Sequence, residues 1–249
     1  MNARRIWRAI ALGATLVAIA TRYWFSRFST PLSHPQRAQR LQSDCRTVLR
    51  RMGVRLIFLG PAPTQGIVVS NHLSYLDIAA LGATVPVCFV SKAEVRQWPF
   101  VGIIAREGGT VFLDRSSLAS AGQAASRIEE RIAELIPVVI FPEGTTSDGS
   151  SVMRFHSLLL EPAVHLEMPV ASAAIRYLPP PARDECELCW FGDAGLLPHL
   201  WKVLGMGTFT IEIRFGQPRV YSDRRTAAAD THDEVTAMRA DGWKESVVN

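Results

Sequence analysis

The sequence has few cysteines and lacks the short motifs of two common kinds of active site. Its four cysteines, Cys45, Cys88, Cys186 and Cys189, are too sparse in 249 residues for a disulfide-stabilised fold. No G-x-S-x-G is present, which argues against a serine hydrolase with a nucleophile elbow. No G-x-x-x-x-G-K-[ST] is present, which argues against a P-loop nucleotide site.

Metal-site patterns are also missing. Cys186 and Cys189 form a C-x-x-C pair, but no second pair and no histidines at ligand spacing accompany it. The remaining histidines, His156, His165 and others, stand outside any recognisable ligand or catalytic pair. We therefore expect structural cysteines and no bound metal.

The chain has no Pro/Gly/Ser-rich linker after residue 53, no internal repeat and no low-complexity tract. Hydrophobic residues make up 48% and charged residues 20% of the sequence. Such a composition can bury a core, which excludes global disorder. We expect one domain over residues 54–249, preceded by a distinct N-terminal segment of residues 1–53.

Lysine is absent from residues 1–55, and acidic residues are nearly so. This segment holds eleven arginines and a single acid, Asp44, whereas the whole chain carries a net charge of only +4. Basic residues concentrated at one end suggest an anionic partner, either nucleic acid or phospholipid. The neighbouring apolar residues favour a phospholipid surface over nucleic acid.

No apolar run is clearly long enough to span a bilayer. The uncharged residues 9–21 form a helix of about 20 Å at 1.5 Å per residue, against a hydrocarbon core of roughly 30 Å. An A-x-A sequence ending at Ala20 fits a secretory signal peptide. Arginines and aromatic residues continue beyond the run, however, as they do in an interfacial anchor, which we favour. Residues 35–53 predict a second, amphipathic and basic helix, ending at Gly53, so the N-terminus is predicted to be a membrane-associated helical pair.

Short apolar runs alternate with helical patterns from residue 54 onward, which predicts an α/β sheet flanked by helices. The predicted strands are VRLIFL, GIVVS, VCFVS, TVFLD, PVVIFP, PVASAAIRY, ELCWF and TFTIEIRFG. The predicted helices include YLDIAALGA, SSLASAGQAASRIEERIAEL, SLLLEPAVHL and residues 227–248.

The sequence NHLSYLD, residues 71–77, places a histidine where a buried strand opens into a helix. Open α/β sheets bind ligands at the carboxyl ends of their strands. The carboxylate of Asp77 can accept a hydrogen bond from Nδ1–H of His72, which leaves Nε2 free as a base. Such a pair can deprotonate a bound hydroxyl. The alternative is a core or capping histidine with a carboxylate nearby by chance.

Three further strand ends carry groups suited to an anion. Gly144 and Thr145 follow Glu143 after one strand, where a glycine lets the backbone approach a ligand and amides and hydroxyls can cradle an anion. Arg115 ends a second strand and suits bidentate contact with a phosphate. Lys92 ends a third. Each alone is also compatible with a solvated polar turn, but together with His72 they form a coherent candidate site.

These segments resemble the four sequence blocks of the glycerophospholipid acyltransferases. NHLSYLD is similar to the H-x-x-x-x-D block, TVFLDR to the second block, FPEGT to the third, and MPVASAAI, with Pro169, to the fourth. Their order and spacing match over about residues 54–215, and the named members that the chain resembles most are the 1-acyl-sn-glycerol-3-phosphate acyltransferases. The resemblance implies a mixed sheet flanked by helices, with residues 54–249 as the acyltransferase domain.

The resemblance also implies a mechanism. His72 would be the general base on the free hydroxyl of a lysolipid, oriented by Asp77, and the hydroxyl would attack an acyl thioester of acyl-carrier protein or coenzyme A. Arg115, Glu143, Gly144 and Thr145 would bind the acceptor headgroup. No cofactor, metal or covalent acyl-enzyme is expected, and the protein would lie at the cytoplasmic face of the inner membrane.

One residue departs from the pattern. Members that act on lysophosphatidic acid usually carry a basic residue directly after the third-block threonine, where this chain has Thr146. Relatives with EGTTSDG-like sequences resemble lyso-ornithine lipid acyltransferases. Because Arg115 and Lys92 can still hold a phosphate, we expect lysophosphatidic acid as the acceptor, giving phosphatidic acid, with lyso-ornithine lipid as the alternative. A non-catalytic lipid-binding protein is a further alternative, of a different class.

Overall fold

Seven strands and eight helices make up the part of the chain that the computed structural model describes, namely residues 3–26, 28, 31–98, 100–114 and 118–241. The strands are β1 (Val54–Leu59), β2 (Ile67–Ser70), β3 (Cys88–Lys92), β4 (Val111–Leu113), β5 (Val138–Ile140), β6 (Val170–Leu178) and β7 (Phe209–Phe215). The helices are α1 (Ala3–Ser26), α2 (His34–Met52), α3 (Leu76–Thr84), α4 (Val101–Glu107), α5 (Leu118–Ala133), α6 (Glu161–His165), α7 (Leu196–Gly205) and α8 (Arg224–Ala240). Arg115 and residues 242–249, the end of the predicted C-terminal helix, lie outside the described residues.

The strands form one mixed sheet in the order β1-β7-β6-β2-β5-β3-β4. β6 and β7 are antiparallel, whereas the other neighbouring strands are parallel. Strands β2 to β6 therefore run in one direction, and their carboxyl ends lie at the same edge of the sheet. The predicted mixed α/β sheet flanked by helices is confirmed.

The central strands are apolar on both faces because helices cover both. Side chains alternate along a strand, so Val68 of β2 packs toward α1, α2, α3 and α7, whereas Ile67 and Val69 pack toward α5, α6 and α8. This double burial explains why the strands in the sequence are continuous apolar runs rather than alternating ones.

Helix α2 begins and ends where local chemistry dictates. Ser33 and Gln36 form a reciprocal capping box at its start, and Pro35 occupies the first turn, where its missing N–H costs nothing. Gly53 ends the helix in the left-handed conformation with φ of 75°, as predicted. The predicted apolar face, which includes Leu41 and Cys45, packs into the core.

Helix α1 has two different faces. Leu12, Ile19 and Tyr23 lie on one stripe and are buried against the domain, together with Arg8, whose Nη1 donates to the Gly207 carbonyl at 2.6 Å. The opposite face exposes large apolar side chains: Trp7, Ile10, Val17, Trp24 and Phe25. By length and composition alone, α1 is long and apolar enough to cross a membrane, a property that core helices and signal sequences share.

The predicted strand ELCWF is wrong. Residues Glu185–Leu188 form a 3₁₀ turn, and the next residues have no strand partner. This segment follows β6 in the chain. In the described sheet, β6 pairs with β7 on one side and with β2 on the other, so β6 has no free side with which the segment could pair. Its backbone instead bonds to the loop between β2 and α3, with Trp190 N–H donating to the Leu73 carbonyl at 2.8 Å.

The predicted helix SLLLEPAVHL is divided into a 3₁₀ turn, Leu158–Leu160, and the short α6. Pro162 is the reason, because proline is accommodated in the first turn of a helix but not in its interior. Helices α4 and α7 were not predicted. In α7, Leu196, Leu200 and Val203 show helical spacing, and its Pro198 lies in the first turn, so the signal was present.

Candidate active site

His72 follows β2 at the sheet edge where β5 and β6, the two neighbours of β2, also end. The preceding residue, Asn71, fixes this strand end. Its side-chain amide donates to the Ile175 carbonyl at 3.1 Å, and its oxygen accepts the Ile175 N–H at 2.8 Å. These two bonds to β6 continue the sheet ladder by one residue and hold the backbone of His72 in place.

Asp77 lies in the first turn of α3 and closes the loop back onto His72. Its Oδ2 is 2.8 Å from Nδ1 of His72 and accepts the N–H groups of Leu73 and Ser74 at 2.6 and 2.9 Å. Its Oδ1 accepts the hydroxyl of Tyr177. Because Oδ2 of Asp77 acts as an acceptor for both backbone N–H groups, we take the ring nitrogen that faces it, Nδ1 of His72, as the protonated one, which leaves Nε2 as the basic one.

The imidazole of His72 is held on its face as well as at its edge. The ring of Phe141 stacks on it with a centroid distance of 3.9 Å and an interplanar angle of 15°. The side chain of His72 is 16% exposed, while that of Asp77 is fully buried. The pair therefore has one accessible end, at the histidine, where a hydroxyl can approach.

Glu143 contacts the backbone of His72. Its Oε1 accepts the backbone N–H of His72 at 3.0 Å. Burial raises the pKa of its carboxyl to about 7, although hydrogen bonds from the backbone of His72 and Met153 oppose the rise. Glu143 thus links the loop after β5 to the end of β2. Burial disfavours the ionised form of its carboxyl.

The turn after β5 contains a glycine in the left-handed conformation and lies against the backbone of His72. Gly144 has φ of 76°, a left-handed value that favours glycine, and Ser147 N–H donates to the His72 carbonyl at 2.9 Å. Thr145 is exposed and Thr146 half-buried. The two threonines therefore follow the histidine closely and lie within reach of solvent.

Lys92 is exposed at the end of β3, in register with Leu113 of β4. β3 is separated from β2 by β5 alone, so Lys92 lies at the same sheet edge as His72, two strand spacings of about 4.8 Å away.

The structure thus brings His72, Asp77, Glu143 and the turn together and leaves Lys92 at the periphery. Arg115 lies outside the described residues, two positions beyond the end of β4.

Arg239 of α8 was missed by the sequence reasoning. Its guanidinium donates to the carbonyl groups of Ile175 and Gly149 and to the carboxylate of Glu185, whose Oε1 accepts the Tyr177 N–H at 2.8 Å. It therefore ties α8, β6 and the turn after β5 together behind the site. A distant helix carries it, and no local motif marks it.

The cysteine pair does not form a disulfide in the structure. Cys186 is exposed, Cys189 is buried, and both are free thiols. Over the described ranges, no three His, Cys, Asp or Glu residues cluster as metal ligands. His165 pairs with Glu129, and His199 contacts the hydroxyl of Tyr75, so each has a partner other than Asp77.

Comparison with known proteins assigns the chain to a family. The family model described as Acyltransferase matches residues 59–176. The lyso-ornithine lipid O-acyltransferase of Brucella abortus is 34% identical over 78% of this chain and 79% of that protein. The corresponding enzyme of Pseudomonas aeruginosa is 38% identical over 64% of this chain, but over only 61% of its own length. The 1-acyl-sn-glycerol-3-phosphate acyltransferase of Neisseria meningitidis is 31% identical over 68% of each chain.

A solved structure shares the fold. The crystal structure of the 1-acyl-sn-glycerophosphate (LPA) acyltransferase from Thermotoga maritima matches with a TM-score of 0.65, covering 97% of this chain and 100% of that one, at 20% sequence identity. The match extends over the N-terminal helices as well as the sheet. The recognised sequence blocks, the mixed sheet and the relatives agree, and the chain belongs to the acyltransferase family.

Proposed function

We propose that the protein transfers an acyl chain from a thioester to the free hydroxyl of a lysolipid, with His72 as the general base. The observation that carries this proposal is the 2.8 Å contact between Nδ1 of His72 and Oδ2 of the buried Asp77. That contact fixes the tautomer and turns Nε2 toward the accessible end of the pair. The site lies at the strand ends where α/β folds bind ligands.

The reaction proceeds by proton transfer and addition. Nε2 of His72 takes the hydroxyl proton while the hydroxyl oxygen attacks the thioester carbonyl, forming a C–O bond. The tetrahedral intermediate then expels the thiolate by breaking the C–S bond. The imidazolium returns its proton to the sulfur, which leaves an ester and a free thiol. The acyl donor is a thioester of acyl-carrier protein or coenzyme A.

The headgroup of the acceptor binds beside the turn after β5. Gly144, Thr145 and Thr146 offer backbone and hydroxyl groups there, and Lys92 supplies positive charge from the end of β3. Arg115, whose place in the sequence follows β4, is expected to supply a second cation. Glu143, whose Oε1 is occupied by the His72 N–H, positions this turn.

Lyso-ornithine lipid is the acceptor that we now favour over lysophosphatidic acid. Thr146 lacks the guanidinium that would contact a phosphate, and the relatives at 38% and 34% identity are named as lyso-ornithine lipid O-acyltransferases. Lysophosphatidic acid remains the second candidate, because relatives at 31% identity are named for that substrate.

The protein acts at a phospholipid surface, with the exposed face of α1 docked on the lipid. Arg8 and Tyr23 hold the opposite face of α1 to the domain, which suits a helix lying in the interface rather than one crossing the bilayer. The positive net charge of residues 1–55, with eleven arginines and one acid, adds attraction to anionic headgroups. A thioester donor from the cytosol places this surface on the cytoplasmic side.

The variant His72→Ala tests the proposed reaction. Purified protein is incubated with an acyl-carrier-protein thioester or an acyl-coenzyme A and a panel of lysolipids, and ester formation is measured. We expect His72→Ala to lose at least about 10²-fold in rate, while vesicle binding persists. His165→Ala, which removes a histidine with a 70% exposed side chain, is the matched control. Full activity of His72→Ala contradicts the proposal, and a wild-type protein that binds lysolipids without acylating them supports a non-catalytic lipid-binding role.

A further inference from the structure

The two oxygens of Asp77 have different partners. Oδ2 serves the histidine and the two backbone amides of Leu73 and Ser74, whereas Oδ1 accepts the hydroxyl of Tyr177 in β6. Within the described residues, no other donor reaches Oδ1. The terminal torsion of an aspartate has a broad distribution, so the hydrogen bonds at its two oxygens determine how the carboxylate is oriented.

Tyr177 is well suited to this task. It is 1% exposed, and its backbone N–H is fixed by Oε1 of Glu185 at 2.8 Å. Burial, followed by the charge of Asp77, raises the pKa of its hydroxyl well above the ordinary value. The hydroxyl therefore stays protonated and remains a donor over the whole range in which an enzyme works.

We propose that Tyr177 is a positioning residue for acyl transfer: its hydroxyl holds Oδ1 of Asp77 so that Oδ2 points at Nδ1 of His72. The inference rests on the proposed function, in which His72 is the base. Tyr177 touches no reacting atom and acts through Asp77. The hydroxyl also spreads part of the carboxylate charge, which tunes how strongly Asp77 stabilises a protonated imidazole.

A second buried tyrosine provides a matched control. The hydroxyl of Tyr23 in α1 donates to Oδ2 of Asp44 at 3.1 Å, and Tyr23 is also 1% exposed. Arg22 pairs with the same carboxylate. Tyr23→Phe and Tyr177→Phe therefore remove the same group from the same kind of buried pair, one away from the site and one at it.

Kinetics of Tyr177→Phe test the assignment. We expect kcat to fall by about 10- to 100-fold, because a misdirected base loses part of the general-base contribution, while KM for the lysolipid stays unchanged. We also expect the acid limb of the pH–rate profile to move to higher pH, since a carboxylate with one donor fewer holds the imidazolium more tightly. Tyr23→Phe is expected to leave the acid limb at its wild-type pH, whatever its effect on thermal unfolding or, through α1, on vesicle binding.

Other titratable groups surround the pair and are controlled for. The titratable neighbours of His72, Asp77 and Tyr177 are Glu143, Cys189, Tyr75 and Glu185, and Arg239 pairs with Glu185. The pKa of the Glu143 carboxyl is about 7, so the profiles are also compared with Glu143→Gln present in both proteins.

An isosteric replacement separates positioning from stability. Tyr177→3-fluorotyrosine keeps the shape but makes the phenol a stronger donor, so we expect its acid limb to move to lower pH, opposite to Tyr177→Phe. This variant also serves if Tyr177→Phe fails to fold. A wild-type pH profile in both Tyr177 variants overturns the inference while His72→Ala remains inactive. An active His72→Ala instead overturns the proposed function itself.

Discussion

The carboxylate of Glu143 accepts the backbone N–H of His72 at 3.0 Å, so the third sequence block holds the first in place. The bond joins the chain beyond β5 to the chain beyond β2, and the Ser147 N–H reinforces it by donating to the His72 carbonyl at 2.9 Å. A buried carboxyl, 5% exposed, thus supports the backbone of the proposed base. Burial disfavours the ionised form of this carboxyl.

Glu143→Gln is expected to change how stability depends on pH. The pKa of the Glu143 carboxyl is raised from 4.5 to about 7, so the folded state binds the proton more tightly than the unfolded state. Its contribution therefore favours folding at low pH and is lost as pH rises from about 5 to about 7.5, by about 2–3 kcal/mol. Gln keeps an acceptor oxygen and removes this decline. Urea unfolding measured across that range checks the prediction.

Glu130→Gln, at a carboxylate with a 63% exposed side chain, is the control and is expected to leave the pH dependence as in the wild type. A wild-type slope in Glu143→Gln would show that Glu143 titrates as an ordinary surface carboxylate.

Asp77→Asn is expected to abolish most activity. The amide has a single acceptor oxygen for the donors around it, and an NH₂ group facing His72 forces the wrong imidazole tautomer. We expect kcat to fall by about 10³- to 10⁴-fold. Asp233→Asn, at an 83% exposed side chain, is the control. Initial-rate measurements with saturating lysolipid decide the matter, and a loss below tenfold would mean that Asp77 does not orient the base.

The fold was predictable from sequence where signals were local. Apolar runs in the sequence marked each of the seven strands. A glycine, Gly53, marked the end of α2, where the structure shows it in the left-handed conformation. The strand prediction for ELCWF was wrong although its apolar pattern is typical of a strand. A strand also needs a neighbouring strand with a free side, and that depends on the topology of the sheet. Pro162 divides one predicted helix, and this proline is itself a local signal for a helix start.

The candidate site was predictable for the same reason. His72 and Asp77 lie five residues apart, so sequence spacing alone brought them within reach of each other. Tyr177 and Arg239 reach the site from β6 and α8, one hundred or more positions beyond Asp77 in the chain, and their partners follow from tertiary packing. Asn71 stood next to the histidine, yet its role depends on Ile175, a residue that only the sheet order brings near.

Thr146→Arg is expected to shift acceptor preference toward phosphate. A guanidinium at this half-buried position would form a charge-assisted contact typically worth about 1.5–3 kcal/mol. The ratio of kcat/KM for lysophosphatidic acid to that for lyso-ornithine lipid should rise by about 10- to 100-fold. Ser151→Arg, which adds the same charge at an exposed position of the same loop, controls for general electrostatic attraction. An equal ratio in both variants would remove Thr146 as a determinant of the acceptor.

The exposed face of α1 is expected to carry membrane binding. The double variant Trp7→Ser, Phe25→Ser removes two apolar side chains, 61% and 65% exposed, from the side of α1 opposite its buried stripe. Burial of such a side chain in lipid contributes about 1.5–3 kcal/mol, so partitioning onto vesicles of phosphatidylcholine and phosphatidylglycerol should fall at least about tenfold. Sedimentation with vesicles at low and high salt measures it.

The double variant Leu135→Ser, Val220→Ser, at residues 63% and 60% exposed outside α1, removes comparable apolar surface and should leave partitioning unchanged. High salt should weaken binding of the wild type and of both variants, because salt screens the attraction between the positively charged residues 1–55 and anionic lipid. If the α1 variant partitions like the wild type at both salt concentrations, α1 does not contact the bilayer, and arginines elsewhere must account for any lipid binding.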